Sequence, residues 1–157
     1  PVVWQWFDPK RPEETSAPAE SLSLAYIHQH IAFARRLGKP VVMEEFGMSR
    51  DTGGYDAAVP TSVRDRWYRM FFAIIEDSAA AGAPFVGSNV WVWGGEGRGS
   101  GPAYRYRPGS PFTGDPTHEP QGFNSVFDTD TSTRQILREH AARLRALRLP
   151  RSVVARP

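Results

Sequence analysis

The stretch that most constrains this chain runs Lys39-Pro40-Val41-Val42-Met43-Glu44-Glu45-Phe46-Gly47. Val41 to Glu45 reads as a short buried strand, entered past a helix stop at Gly38 and Pro40 and left through two carboxylates and a glycine. Apolar runs of this length, set between helical patterns, are the mark of parallel strands in α/β folds. In such folds the carboxyl ends of the strands are where ligands meet the chain. An acid there is costly to bury and well placed for chemistry. Side chains two apart on a strand share a face, so Met43 and Glu45 are expected on one side and Val42, Glu44 and Phe46 on the other. One glutamate alone then faces a site before the strand end. The plain alternative is two half-solvated acids at the start of a loop.

The rest of the chain alternates in the same way. Pro1 to Phe7 reads as the end of a strand, and Asp8 to Pro18 as a polar loop. A helix is expected from about Ala19 to Leu37, with Leu24, Ile27, Ile31 and Ala34 on its apolar stripe. A second helix, about Ser62 to Ala81, is expected to be capped by Thr61 or Ser62 and to bury Val63, Trp67, Met70, Phe71, Ile74 and Ile75. A third strand is expected over Phe85 to Trp93. A Gly- and Pro-rich loop then runs to about Phe127, and loops of such length are functional or disordered as a rule. The last helix starts at Ser132, where Gln135 completes a capping-box pattern, and turns Ile136, Leu137, His140, Leu144 and Leu147 inward. Repeated βα units argue for a parallel sheet covered by helices. So few strands cannot close a barrel, and as an open sheet they expose two edges.

Composition sets the remaining bounds. With 157 residues, 40% hydrophobic and 23% charged, the chain is one globular domain, residues 1–150, followed by a tail, 151–157. A formal charge of +2 gives no reason to expect a nucleic-acid partner. No run approaches the roughly 20 apolar residues of a membrane helix, so no membrane partner is expected. Cysteine is absent, which removes disulfides, thiolate nucleophiles and Cys-based metal sites. His28, His30, His118 and His140 are scattered and read as core or surface residues, so neither metal nor cofactor is expected. Gly94 to Gly99 fits neither dinucleotide nor phosphate-loop spacing. Trp67, on the second helix, reads as core. The start at Pro1, without Met, suggests a piece of something longer.

At this point the motifs resemble a known family. GKPVVMEEFG resembles the seventh-strand motif of family 5 glycoside hydrolases, most closely their endo-β-1,4-mannanase branch. PVVWQWFDP resembles the loop after barrel strand six, SNVWVWGGEGR strand eight with its loop, and EPQGFNSVFDTDTST the approach to the last helix. The resemblance implies the C-terminal portion of a (β/α)₈ barrel, roughly three of its eight units. It implies a retaining glycosidase that cleaves internal β-1,4-mannosidic bonds, with Glu45, directly before Phe46-Gly47, as nucleophile. The acid/base glutamate of the family lies on strand four, so the implied partners are β-mannan or a related polysaccharide and a missing N-terminal part of the barrel. Trp91 matches the strand-eight tryptophan that floors the sugar site. Trp93, two residues on, is a weaker candidate on the same face, and Trp4 aligns with a cleft-lining tryptophan. Arg50 and Glu96, with Arg98, are candidates for sugar hydroxyls at the cleft rim. Glu44, on the opposite face, needs a hydrogen-bond donor of its own, for instance from a neighbouring helix. A polymeric substrate implies an extracellular or periplasmic protein. Another β-glycanase of the family, an exo-β-mannosidase, or a sugar-binding piece without catalysis are the competing readings.

Overall fold

The computed structural model describes residues 6–147. Three helices pack on a short parallel sheet: α1 (Pro12–Leu37), α2 (Ser62–Ala80) and α3 (Thr131–Ala146), with β1 (Val41–Phe46) beside β2 (Phe85–Val90). A second parallel ladder joins β3 (Trp93–Gly95) to β4 (Val126–Phe127). The strand expected over Pro1 to Phe7 lies mostly outside the described residues; Trp6 and Phe7 belong to a turn and a loop.

The first helix begins earlier than expected, at Pro12 instead of Ala19, so the loop predicted over Asp8 to Pro18 is mostly helix. Pro12 stands in the first turn, where its missing N–H costs nothing, and Glu13 and Glu14 complement the positive end of the helix dipole. Pro18 is carried inside the helix on its exposed side. The end is as expected: Gly38 adopts φ +62 and donates its N–H to the Ala34 and Arg35 carbonyls.

The cap of α2 comes from elsewhere. No hydrogen bond from the Thr61 side chain caps the helix; instead the Asp51 carboxylate accepts the N–H groups of Ser62 (3.2 Å) and Val63 (2.9 Å), tying the β1 exit loop to the helix start. The buried face of α2 is also rotated from the expected stripe. Trp67, Phe71 and Ile75 are buried as predicted, but Arg64, Asp65, Tyr68 and Phe72 are buried with them, while Val63, Met70 and Ile74 are only partly covered. Phe46 drives this arrangement. Its ring meets Tyr68, Phe71 and Phe72 edge-on at 5.3, 5.8 and 5.9 Å, a burial contributing roughly 2–3 kcal/mol.

The capping box expected at Ser132 does not form. The helix starts one residue earlier, Asp130 stands at the cap without a side-chain capping bond, and Gln135 bonds Glu139 on the exposed face. The Asp130 carboxylate serves two arginines instead. His140 locks α3 to α2: its ring stacks on Phe72 at 3.9 Å, and Nδ1 lies 2.7 Å from Glu76, which also takes Arg143.

The long segment between β3 and β4 is ordered by its own polar core. Asp115 accepts the N–H groups of Gly122 and Asn124 at 2.8 and 2.9 Å, and the Thr113 hydroxyl donates to Gln121 at 2.7 Å. Gln121 in turn donates to the Pro116 and Glu119 carbonyls. This network carries the segment from Thr113, beside Gly94 of β3, to Asn124, which meets Gly47 just past the end of β1.

Candidate active site

The site begins with an irregularity in β1. Val41 and Met43 pack toward the helices, as alternation requires. Two residues, Glu44 and Glu45, then stand against the single Asn89 of β2, between the pairs Met43–Ser88 and Phe46–Val90. Glu45 takes φ +50 within this bulge. The extra residue turns Phe46 back into the core and leaves both glutamates exposed. Strict alternation, which would set Glu45 with Met43 and Phe46 with Glu44, is therefore broken. A left-handed φ costs a non-glycine residue on the order of 1 kcal/mol, and such costs persist chiefly where a side chain is being aimed.

Both acids line a groove of about 860 Å³ that runs the length of β1. Trp91 lines it too, as do His118, Glu119, Phe123 and Asn124 from the ordered loop and Tyr26 and His30 from α1. The two glutamates differ in their partners. Asn89 Nδ2 donates to both oxygens of Glu44, at 2.9 and 2.7 Å, so the donor comes from the neighbouring strand and not from a helix. No such partner holds the Glu45 carboxylate among the described residues.

Gly47 explains how Trp91 comes so close. The Trp91 N–H donates to the Phe46 carbonyl at 2.8 Å, continuing the β1–β2 pairing one step past the strand. A Cβ on Gly47 would overlap the Trp91 carbonyl oxygen and stand 2.9 Å from Asn124 Oδ1. The glycine is needed for close approach and lets three chain segments meet beside Glu45.

The other expected residues fare differently. Trp93 does not share a face with Trp91, because β2 ends at Val90 and Trp93 opens a separate strand; it is 54% exposed and outside the groove. Glu96 is exposed and also outside the groove. Trp4 lies outside the described residues. Arg50 is not at the rim: it is 1% exposed, forks onto Asp130 at 2.8 and 2.6 Å, donates to the Val59 carbonyl and lies over the Phe127 ring. Arg98 covers Phe127 as well and binds Asp128, whose carboxyl this hydrogen bond holds below its usual range.

Sequence reading missed the loop residues of the groove and the buried cluster behind it. Glu119 Oε2 is inaccessible to solvent and has no hydrogen-bond partner among the described residues, an oxygen awaiting a donor. Arg64 is fully buried, and burial pushes its guanidinium below the ordinary arginine value. Tyr68 beside it is pushed up to about 12 by burial. The one available signal for the cluster was the pair of charges Arg64-Asp65 on the helix side that also carries Tyr68 and Phe72.

Fold and site together define an α/β protein with two adjacent carboxylates and a tryptophan at the carboxyl end of a parallel strand pair, opening on a groove. Comparison with known proteins makes the class specific. Residues 1–148 match the model of the glycoside hydrolase family 5 beta-mannosidase-like proteins, and the chain belongs to that family. Over 96 residues it is 30% identical to mannan endo-1,4-beta-mannosidase 4 of Solanum lycopersicum, covering 61% of this chain and 22% of that protein. Its fold matches the family 5 mannosidase of Rhizomucor miehei with a TM-score of 0.77 and 36% identity, over 90% of this chain. An alanine mutant of that enzyme, solved with mannosyl-fructose, matches equally, with a TM-score of 0.77 and 35% identity. The chain spans 35% of the length of these mannosidase structures.

Proposed function

We propose that this chain supplies the nucleophile-bearing last units, roughly three of eight, of a (β/α)₈ barrel that hydrolyses β-1,4-linked mannose polymers with retention of configuration. The observation that carries the reading is the bulge at Glu44–Glu45. It exposes both acids to the groove that Trp91 also lines, ties Glu44 to Asn89 and leaves Glu45 without a hydrogen-bond partner among the described residues. An ionised Glu45 attacks the anomeric carbon while a protonated carboxylic acid delivers its proton to the leaving oxygen. The glycosyl ester on Glu45 is then hydrolysed by water, with the second group acting as base. That second group must stand roughly 5–5.5 Å from Glu45. Glu44, with both oxygens engaged by Asn89, is not free to serve, so the acid/base comes from the N-terminal part of the barrel. Trp91 offers an indole face for the sugar ring. Polymer hydrolysis of this kind suits an extracellular or periplasmic protein.

The test is chemical rescue in the complete barrel. Azide should restore turnover of an activated aryl mannoside by Glu45→Ala and yield a mannosyl azide of inverted configuration. Rescue of Glu44→Ala in its place would reassign the nucleophile. An exo-acting β-mannosidase is the second reading, supported by the likeness to the mannosidase structures at 36% identity. Products from a reducing-end-blocked mannohexaose separate the two: internal cleavage gives mid-length oligomers at once, and exo action gives mannose and the blocked chain shortened by one sugar.

A further inference from the structure

Arg64 sits on α2, fully buried and outside the groove lining, yet its guanidinium reaches both segments that frame the groove. Nε donates to the Met48 carbonyl at 2.7 Å, and Nη1 donates to the Ser125 carbonyl at 2.9 Å and to Asp130 Oδ2 at 3.4 Å. Met48 follows Gly47 on the exit from β1. Ser125 follows Asn124, whose side chain packs on Gly47 and lines the groove. We propose that Arg64 is a positioning residue for the cleft: it fixes the distance between the β1 exit that carries Glu45 and the loop that carries Asn124, and so the seat of Trp91 between them. The inference rests on the role of Glu45 proposed above.

The chemistry favours an arginine for this task. A planar guanidinium presents donors at fixed angles and holds two carbonyls at a set spacing, whereas a lysine ammonium is a point donor on a flexible stem. For helix packing alone, an apolar side chain of similar volume would serve as well, without the desolvation of a buried cation. Asp130 offsets part of the charge; it is shared with Arg50 and also accepts the Phe127 N–H at 2.8 Å. Removing Asp130 thus loosens the same cluster while leaving the bonds from Arg64 to the two carbonyls in place.

Two variants of the complete barrel separate positioning from stability. Arg64→Lys keeps the charge and loses the fork; kcat on an aryl mannoside should fall about ten- to a hundred-fold with KM changed less than about three-fold. Asp130→Asn should lower the melting temperature at least as far yet keep kcat within about three-fold. The reverse order of kcat losses overturns the proposal. If Arg64→Lys does not fold at about 10 °C, Asp130→Asn decides: retained kcat supports the proposal, and a loss beyond about ten-fold overturns it. A second readout is independent of turnover. With 5-fluorotryptophan incorporated, the Trp91 ¹⁹F resonance, assigned through Trp91→Phe, should shift in Arg64→Lys and hold in Asp130→Asn. An inactive complete barrel would sink the glycosidase reading, and the ¹⁹F comparison would then decide the positioning role by itself.

Discussion

Replacing Gly47 by alanine should damage stability and turnover together. The new methyl would stand 2.9 Å from Asn124 Oδ1 and overlap the Trp91 carbonyl oxygen. Ordinary C···O contact begins at roughly 3.3 Å, so Asn124 must retreat by about 0.4 Å and the Trp91 carbonyl by more. That movement strains the Trp91 N–H bond to Phe46, now 2.8 Å, whose loss costs about 1 kcal/mol, and overpacking adds roughly 1–3 kcal/mol. The total, about 2–4 kcal/mol, corresponds to a melting temperature lower by at most roughly 4–16 °C, the shift per kcal/mol shrinking as the complete barrel exceeds about 150–250 residues. An indole displaced by about 1 Å from the reacting sugar should lower kcat on the order of a hundred-fold. Thermal unfolding by circular dichroism and single-substrate kinetics on the complete barrel read both effects. A Gly47→Ala protein within about 2 °C and two-fold of the parent would refute the claim that close approach is what the glycine provides.

Glu45 holds φ +50, so Glu45→Gly should be more stable than Glu45→Ala by about 1 kcal/mol, measured by denaturant unfolding, though both are inactive. Tyr68 has a buried hydroxyl without a partner among the described residues and a value raised to about 12, so the folded state keeps its proton where the unfolded state loses it. Stability from this group is intact below pH 10 and lost as pH rises from 10 toward about 12. Tyr68→Phe should be neutral or stabilising at pH 7 and should remove part of the alkaline fall in melting temperature. The chain as given should show no hydrolysis of mannan if, as proposed, the acid/base group belongs to the N-terminal part of the barrel; turnover by the purified chain would overturn that division of labour.

Much of this was legible in the sequence, for physical reasons that also mark where the reading stopped. The strand at Val41, the three helices and the core role of Trp67 followed from apolar periodicity, which records burial. The orientation of the glutamates did not, because a bulge changes which residue faces the core without changing composition. Only the outcome, Phe46 among Tyr68, Phe71 and Phe72, reveals it. Capping by Asp51 was hidden because the accepting carboxylate lies on the preceding loop, 11 positions before Ser62, and local patterns pointed to Thr61. Arg50 read as a rim residue because charge in a loop suggests solvent, yet its partner Asp130 is 80 positions away. Alternation places Trp93 with Trp91 only in a continuous strand, and β2 ends at Val90. The loop residues of the groove, Glu119 and Asn124, are placed by hydrogen bonds between Asp115, Gln121 and the backbone, which leave no periodic trace.

The central claim, that Glu45 forms a covalent glycosyl ester, is tested most directly by trapping. The complete barrel is incubated with 2-deoxy-2-fluoro-β-mannosyl fluoride, digested with a protease, and the labelled peptide is sequenced by tandem mass spectrometry. The account predicts one added fluoromannosyl group on Glu45 and none on Glu44, with loss of activity in step with labelling. A label on Glu44, or time-dependent turnover of the reagent to fluoromannose of inverted configuration with no adduct, would contradict it.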